Sequence, residues 1–249
     1  MRVSVWIVEH LDLQPGQQVL DLAAGPGDTG FLAAELIRPG GTLISSDASQ
    51  AMLGVARGRA RDLGVSNVEF MRLELDWIDL DTASIDAAMC RWGLMFAIDP
   101  GAALQEIRRV LRPGAPLALA VWDLPERNPW ATIPPRALVE LGLAEPPDPS
   151  RPGMFVLADE SRLEELLDAA GFMDVLVDGV DLSRAASTVD EYIAAQLDLS
   201  SQFAEARERV SEEVWSEVKA RMASLAQPYS VPDGSLQFPA RSLVAAASA

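Results

Sequence analysis

Apolar and polar positions follow two periods along this chain. Residues 17–23 (QQVLDLA) form a short apolar run stopped by glycines, and residues 116–122 (PLALAVW) are apolar throughout. Both have the length and continuity of strands buried on two faces, as parallel strands are. Further strands are expected at 42–47, 67–73 and 85–90. Between them lie segments that predict helices over 29–38, 49–63 and 100–111. Their stop signals are Pro39-Gly40-Gly41, Gly64 and Arg112-Pro113-Gly114. One more helix is expected at 4–11, ahead of the first strand. Strands and helices alternating at this spacing predict right-handed βαβ units, hence a doubly wound, mostly parallel α/β sheet covered on both faces.

After Asp123 the pattern changes. Eight prolines fall within residues 124–153, which predicts an insertion or lid rather than another βαβ unit. An amphipathic helix follows at 160–170, then a strand near 173–180, helices over 188–226 with a break near Ser200, and a last strand in LQFPARSLVAAAS. The expected organisation is a core at 1–123, a lid or acceptor-binding insertion at 124–159, and a segment 160–249 that completes a seven-stranded sheet around an inserted helical part. No internal repeat is visible.

The first chemical signal is Asp21-Leu22-Ala23-Ala24-Gly25-Pro26-Gly27-Asp28-Thr29-Gly30, directly after the first strand and opening a helix. Glycines there let the backbone approach a ligand closely. Gly25, Gly27 and Gly30 alone also satisfy a dinucleotide fingerprint or a bare tight turn. Asp21 separates the readings, because a carboxylate at that strand end repels a pyrophosphate and attracts a cation such as an ammonium group. Asp47 ends the second strand, where a carboxylate can take both hydroxyls of a ribose; its alternative role is to cap the helix that follows.

Composition narrows the chemistry. The formal net charge of −17 repels a phosphate backbone and anionic lipid, so neither nucleic acid nor a membrane surface is an expected partner. Cys90 is the only cysteine and His10 the only histidine, which removes disulfides within the chain and metal sites built on several thiols or imidazoles. With no targeting peptide and no apolar run long enough to cross a bilayer, the expected address is cytoplasmic. A homodimer is left open.

The blocks VLDLAAGPGDTG, SSDAS with AMLGVARGRA, and IDAAMCRWGLMFAIDPGAALQEIRRVLRPGAPLALAVW resemble class I S-adenosylmethionine (SAM)-dependent methyltransferases. The nearest branch is that of the ubiquinone and menaquinone C-methyltransferases, and the resemblance covers about residues 15–123. It implies a Rossmann-like fold, SAM as methyl donor and a small-molecule acceptor. It further implies that Asp21, Ala23, Gly25 and Gly27 surround the methionine half of the donor, and that Asp47 holds the ribose. Ala48 and Met52 would lie against adenine or ribose. Glu74, with Asp76 next in line, would meet the adenine amino group, and the Leu75 N–H a ring nitrogen. Cys90 and Arg91 would lie beside the sulfonium. Two positions depart from the family pattern: Ala23 stands at the usual first glycine and Glu74 at a more usual Asp. The chain also carries only one helix ahead of its first strand, so a further N-terminal segment or a partner subunit is expected to cover the site.

Other residues have two readings each. Cys90 ends an apolar strand and is expected as a buried small hydrophobe rather than a nucleophile. His10 and Asp123 are candidate general bases, Asp123 by its place after the fifth strand. Trp92, Phe96, Trp122, Trp130 and Phe155, with Met154, line an apolar acceptor pocket or belong to the core. Two rivals stand beside methyl transfer. An NAD(P)-dependent reductase leaves Asp21 facing a pyrophosphate, and neither Tyr192 nor Tyr229 starts a Tyr-x-x-x-Lys pair. A non-catalytic SAM-binding protein would keep the ligand motifs without needing a base.

Overall fold

The computed structural model describes residues 1–148 and 151–249; Pro149 of the proline-rich segment lies outside them. Among the described residues, seven strands form one sheet in the order β3-β2-β1-β4-β5-β7-β6. Strands β1 (Gln18–Leu22), β2 (Thr42–Ser46), β3 (Val68–Met71), β4 (Ala87–Arg91) and β5 (Pro116–Trp122) pair in parallel. The last strand, β7 (Leu236–Ser248), runs antiparallel beside β5, from Pro116 opposite Ser248 to Trp122 opposite Ser242. β6 (Met173–Ala186) forms the edge. Val19, Leu20, Ala88, Met89 and Leu119 are excluded from solvent, as their unbroken apolar runs require.

The early helices match their local signals. α1 (Arg2–His10) packs on β4 and β5. α2 (Gly30–Leu36) packs on β1 and β2. α3 (Gln50–Leu63) is capped by the Ser49 hydroxyl, which accepts from the Met52 N–H, and ends at Gly64 in a left-handed conformation. α4 (Pro100–Val110) begins where the Asp99 carboxylate accepts from the N–H groups of Gly101 and Ala102.

Two compact units emerge: one from Met1–Asp123, Ser150–Val180 and Ser242–Ala249, the other from Leu124–Pro149 and Asp181–Arg241. This differs from the expected boundaries at 124–159 and 160–249. Residues past 150 that supply α6 (Glu160–Ala169), which packs on α4, group with the first unit, and so does the end of β7 paired to β5.

The second unit is mostly helical and also holds the end of β6 and the start of β7. The proline-rich segment holds α5 (Pro129–Glu140), with Pro134 and Pro135 inside it. A proline at 134 has no N–H to give the Trp130 carbonyl one turn back. The Tyr192 hydroxyl donates to that carbonyl instead, at 2.6 Å. Tyr192 belongs to α7 (Val189–Leu199), and burial pushes its phenol well above the ordinary value, so it stays a donor. α8 (Ser201–Arg209) and α9 (Glu212–Ala226) complete the unit; α9 packs on α5 and α7. Thr188, Ser200 and Ser211 each accept an N–H from the first turn of the helix they start, so the expected break at Ser200 is accompanied by a second one before Ser211. β6 runs six residues past the expected end at 180.

Candidate functional site

Parallel pairing brings the carboxyl ends of β3, β2, β1 and β4 to one edge of the sheet. The loop after β1 therefore lies between the ends of β2 and β4. Asp21 pairs in register with Ser45 and Met89, and Leu22 with Cys90. The Ser46 hydroxyl donates to the Asp21 carbonyl at 3.0 Å, and the Ala24 N–H donates to the Ser46 carbonyl at 2.8 Å. The glycine loop is thus pinned to β2 from both sides.

The loop itself is left-handed at Ala23 (φ +50°), Gly25 (+55°) and Gly27 (+88°). A Cβ on Gly25 would meet nothing within 4 Å, so the loop presents bare backbone to open space there. A Cβ on Gly27 would strike the Phe31 ring. At Ala23 a conformation that suits glycine costs about 1 kcal/mol. Its methyl group fits because Gly93, in the turn after β4, has no side chain; a Cβ there would collide with that of Ala23. The departure at Ala23 is therefore matched by a glycine 70 residues away that the motif does not include.

Asp21 is 1% exposed, and its Oδ2 has no hydrogen-bond partner. Burial raises the carboxyl to about 7. The Arg91 guanidinium and the Gly30 N–H pull it down, and the Asp47 and Asp28 carboxylates push it up. Asp47 sits half-buried after β2. Its Oδ2 accepts from the Gly25 N–H at 2.9 Å and its Oδ1 from the Ser49 N–H at 2.8 Å. The cap of α3 is Ser49, so Asp47 does something else, tying the glycine loop to the start of that helix.

The remaining expected donor contacts are spread along the same edge. Ala48 and Met52 are exposed at the start of α3, and Leu75 is half-buried after β3. Glu74 is exposed, 3.7 Å from Arg72. The second choice, Asp76, is committed elsewhere: its two oxygens accept the N–H groups of Ile98 and Asp99. Cys90 is fully buried, and burial pushes its thiol up to about 12, so it stays protonated and unreactive.

Sequence reasoning passes over Asp28 and Arg59. The Asp28 carboxylate accepts from Arg59 at 2.7 Å and from Arg91 at 3.0 Å, and Arg59 also donates to the Pro26 carbonyl. Those bonds and both guanidinium charges hold Asp28 below its ordinary value against the opposing effect of burial. Arg91 in turn lies over the Trp92 ring, 4.7 Å from its centroid. The basic residues in AMLGVARGRA are the available signal, but no local pattern pairs them with the loop.

The proposed acceptor residues fall into three groups. Trp92 (φ +60°) stacks on buried Trp122 at 4.4 Å and 11°, and its Nε1–H donates to the Ser242 hydroxyl at 2.9 Å. Phe96 is 55% exposed and Phe155 half-buried. Trp130 is a core residue of the second unit, where Arg184 lies over its ring. Asp123 is buried directly after β5. His10 is exposed on α1, its ring stacked on Trp6 and its Nδ1–H donating to the Trp6 carbonyl at 2.8 Å. Among the described residues no group of three or more His, Cys, Asp or Glu is placed to hold a metal ion, and no helix is long and apolar enough to cross a membrane.

Residues 13–135 match the family described as methyltransferase domain. The chain is 30% identical over 122 residues to a ubiquinone/menaquinone biosynthesis C-methyltransferase, UbiE, of Cellvibrio japonicus, covering 49% of either chain. It is 38% identical over 113 residues to a 2-phytyl-1,4-naphtoquinone methyltransferase of Synechococcus elongatus, covering 43% of this chain and 46% of that one. The chain spans about half the length of these curated relatives. Its fold is similar to that of the Bacillus subtilis YcgJ protein, with a TM-score of 0.66 at 18% identity over 99% of this chain and 97% of that one. Together, the sheet order and the family match show that residues 13–135 are similar to a methyltransferase domain.

Proposed function

We propose that the protein transfers the methyl group of SAM to a small, largely apolar or aromatic acceptor by direct in-line displacement. The observation that carries the donor half is Asp21: a carboxyl oxygen buried without a partner directly before the glycine loop. A buried acceptor of this kind costs about 1–3 kcal/mol unless a donor completes it, and the ammonium group of a methionine moiety, directly or through water, is such a donor. Two further features fit the same molecule. Gly25 leaves open space over the loop. Asp47 uses two of its roughly four lone-pair positions on backbone N–H groups, so others remain for ribose hydroxyls.

When bound, SAM supplies an electrophilic methyl on a sulfonium, so no protein nucleophile is required. The chain's residues orient the donor, position an acceptor in line and keep water out. Asp123 is the proposed proton acceptor by its place at the end of β5. Trp92 is the proposed contact for an apolar acceptor, with Trp122 stacked behind it. The net charge of −17 favours an uncharged acceptor over an acidic one. The quinone and naphtoquinone names of the relatives agree with an aromatic acceptor.

The donor assignment is tested by calorimetric titration with SAM, S-adenosylhomocysteine and NAD(H). Saturable binding of the first two and none of the third is expected; tight NAD(H) binding with silence toward SAM would overturn it. Counting S-adenosylhomocysteine turnover across acceptors separates an enzyme from a SAM-binding protein without activity. Residues 124–155 are proposed to close when the site is filled, which predicts protection from limited proteolysis only when SAM and an acceptor are both present.

A further inference from the structure

We propose that Arg91 is a positioning residue for the methyl donor: clasped by Asp28 and lying on Trp92, it joins the glycine loop to the turn after β4 and brings its charge to bear on the buried Asp21 carboxyl. This rests on SAM being the donor. The geometry has three parts. Asp28, inside the glycine loop, is gripped by Arg59 from α3 at 2.7 Å and by Arg91 from the end of β4 at 3.0 Å. Arg59 also holds the Pro26 carbonyl, so the loop is bound at two successive turns. Arg91 is itself largely covered, with 16% of its side chain exposed, and its guanidinium carbon lies over the ring of Trp92, the proposed acceptor contact. One guanidinium therefore touches the loop expected to hold the donor and the residue expected to hold the acceptor.

The charge matters because of what surrounds Asp21. From β4 it faces Arg91 and the Cys90 thiol, which stays protonated. From the glycine loop it faces Asp28, from the end of β2 Asp47, and from α2 the Gly30 N–H. Burial and two like charges oppose ionisation of Asp21, while Arg91 and the Gly30 N–H favour it. An ammonium group is held better by a carboxylate than by a neutral carboxyl. Without Arg91, the pH at which Asp21 becomes a good partner for the donor would rise.

The test is the pH dependence of S-adenosylhomocysteine affinity from pH 5.5 to 9, measured by calorimetry on wild type, Arg91→Gln and Arg91→Lys. Wild-type affinity is expected to rise with pH through a midpoint near 7, where Asp21 titrates. In Arg91→Gln the midpoint moves up by about one pH unit, so affinity at pH 7 falls about tenfold and recovers toward pH 9. In Arg91→Lys the charge is kept, so the midpoint stays; the altered contacts to Asp28 and Trp92 reduce affinity about threefold at every pH. A loss in Arg91→Gln that is the same at all pH values, or no loss, overturns the proposal. Should Arg91→Gln not fold, Arg91→Lys decides: a midpoint displaced by a full pH unit, or wild-type affinity throughout, overturns it. If wild type binds neither SAM nor S-adenosylhomocysteine, the donor assignment has failed, and the role of Arg91 is read from the ligand-free protein. Its thermal midpoint then falls with rising pH while buried Asp21 keeps the proton that the unfolded chain releases, and levels off once Asp21 ionises near 7. In Arg91→Gln that fall extends about one pH unit further than in wild type; coincident curves overturn the inference.

Discussion

Asp21→Asn is expected to weaken SAM binding about a hundredfold and, at the same time, to make the ligand-free protein more stable at pH 8. The binding loss follows from removing the charge from a contact to an ammonium group, at about 1.5–3 kcal/mol. The stability gain follows from linkage. The carboxyl ionises near its ordinary value of 3.8 when unfolded and at about 7 when buried. Between those values the folded state holds the proton that the unfolded state has released, so stability falls as pH rises through that window and is level above it. The full difference is about 4 kcal/mol at 1.36 kcal/mol per pH unit, an upper bound because Asn also buries an amide. Denaturant unfolding of both proteins at pH 4.5, 6 and 8, with calorimetry at pH 8, reads both effects. A variant no more stable than wild type at pH 8 would show that Asp21 is not an uncompensated buried charge. Unchanged SAM affinity would remove Asp21 from the donor site. The cost in ligand-free stability is what a site prepared for its ligand is expected to carry.

Asp47→Ala has the second-largest expected effect, and the structure changes what else it should do. Loss of a charge-assisted contact to both ribose hydroxyls costs about 2–4 kcal/mol of SAM binding. A role confined to the ribose would leave the fold untouched. The carboxylate, however, accepts the Gly25 and Ser49 N–H groups, and Ala leaves both without a protein partner. Because Asp47 is half-buried and water can reach part of the gap, the stability cost is about 1–2 kcal/mol rather than the full penalty of a buried orphan. Urea unfolding beside SAM titration separates the two losses. A variant that loses stability but keeps full SAM affinity would make Asp47 a tether of the glycine loop only.

The contrast between these two aspartates shows where local sequence stops being informative. The runs QQVLDLA and PLALAVW, the glycine loop and the helix stops state which residues are buried and where the chain turns, because burial period and backbone preference are local properties. They suffice for five parallel strands, the strand-edge position of Asp21 and Asp47, and the break at Ser200. β6 outruns its expected end because its alternation slips at Gly179 and Val180, two consecutive half-buried positions, and polar residues point outward on the edge beyond them. α5 is not legible in the sequence because two prolines argue against a helix. What makes Pro134 tolerable is a hydroxyl 62 residues from the carbonyl it satisfies.

The sequence by itself determined the class of fold, the order of its early elements and the places of Asp21 and Asp47 at the strand ends. Only the tertiary structure decided that the last strand enters between β5 and β6, that Gly93 makes room for Ala23, that Asp76 is committed to the turn before α4, and that Arg59 and Arg91 close on Asp28. Each of these joins residues far apart in the chain. Their pairing depends on which strand ends the parallel register brings side by side, and period, propensity and motif spacing carry no record of that.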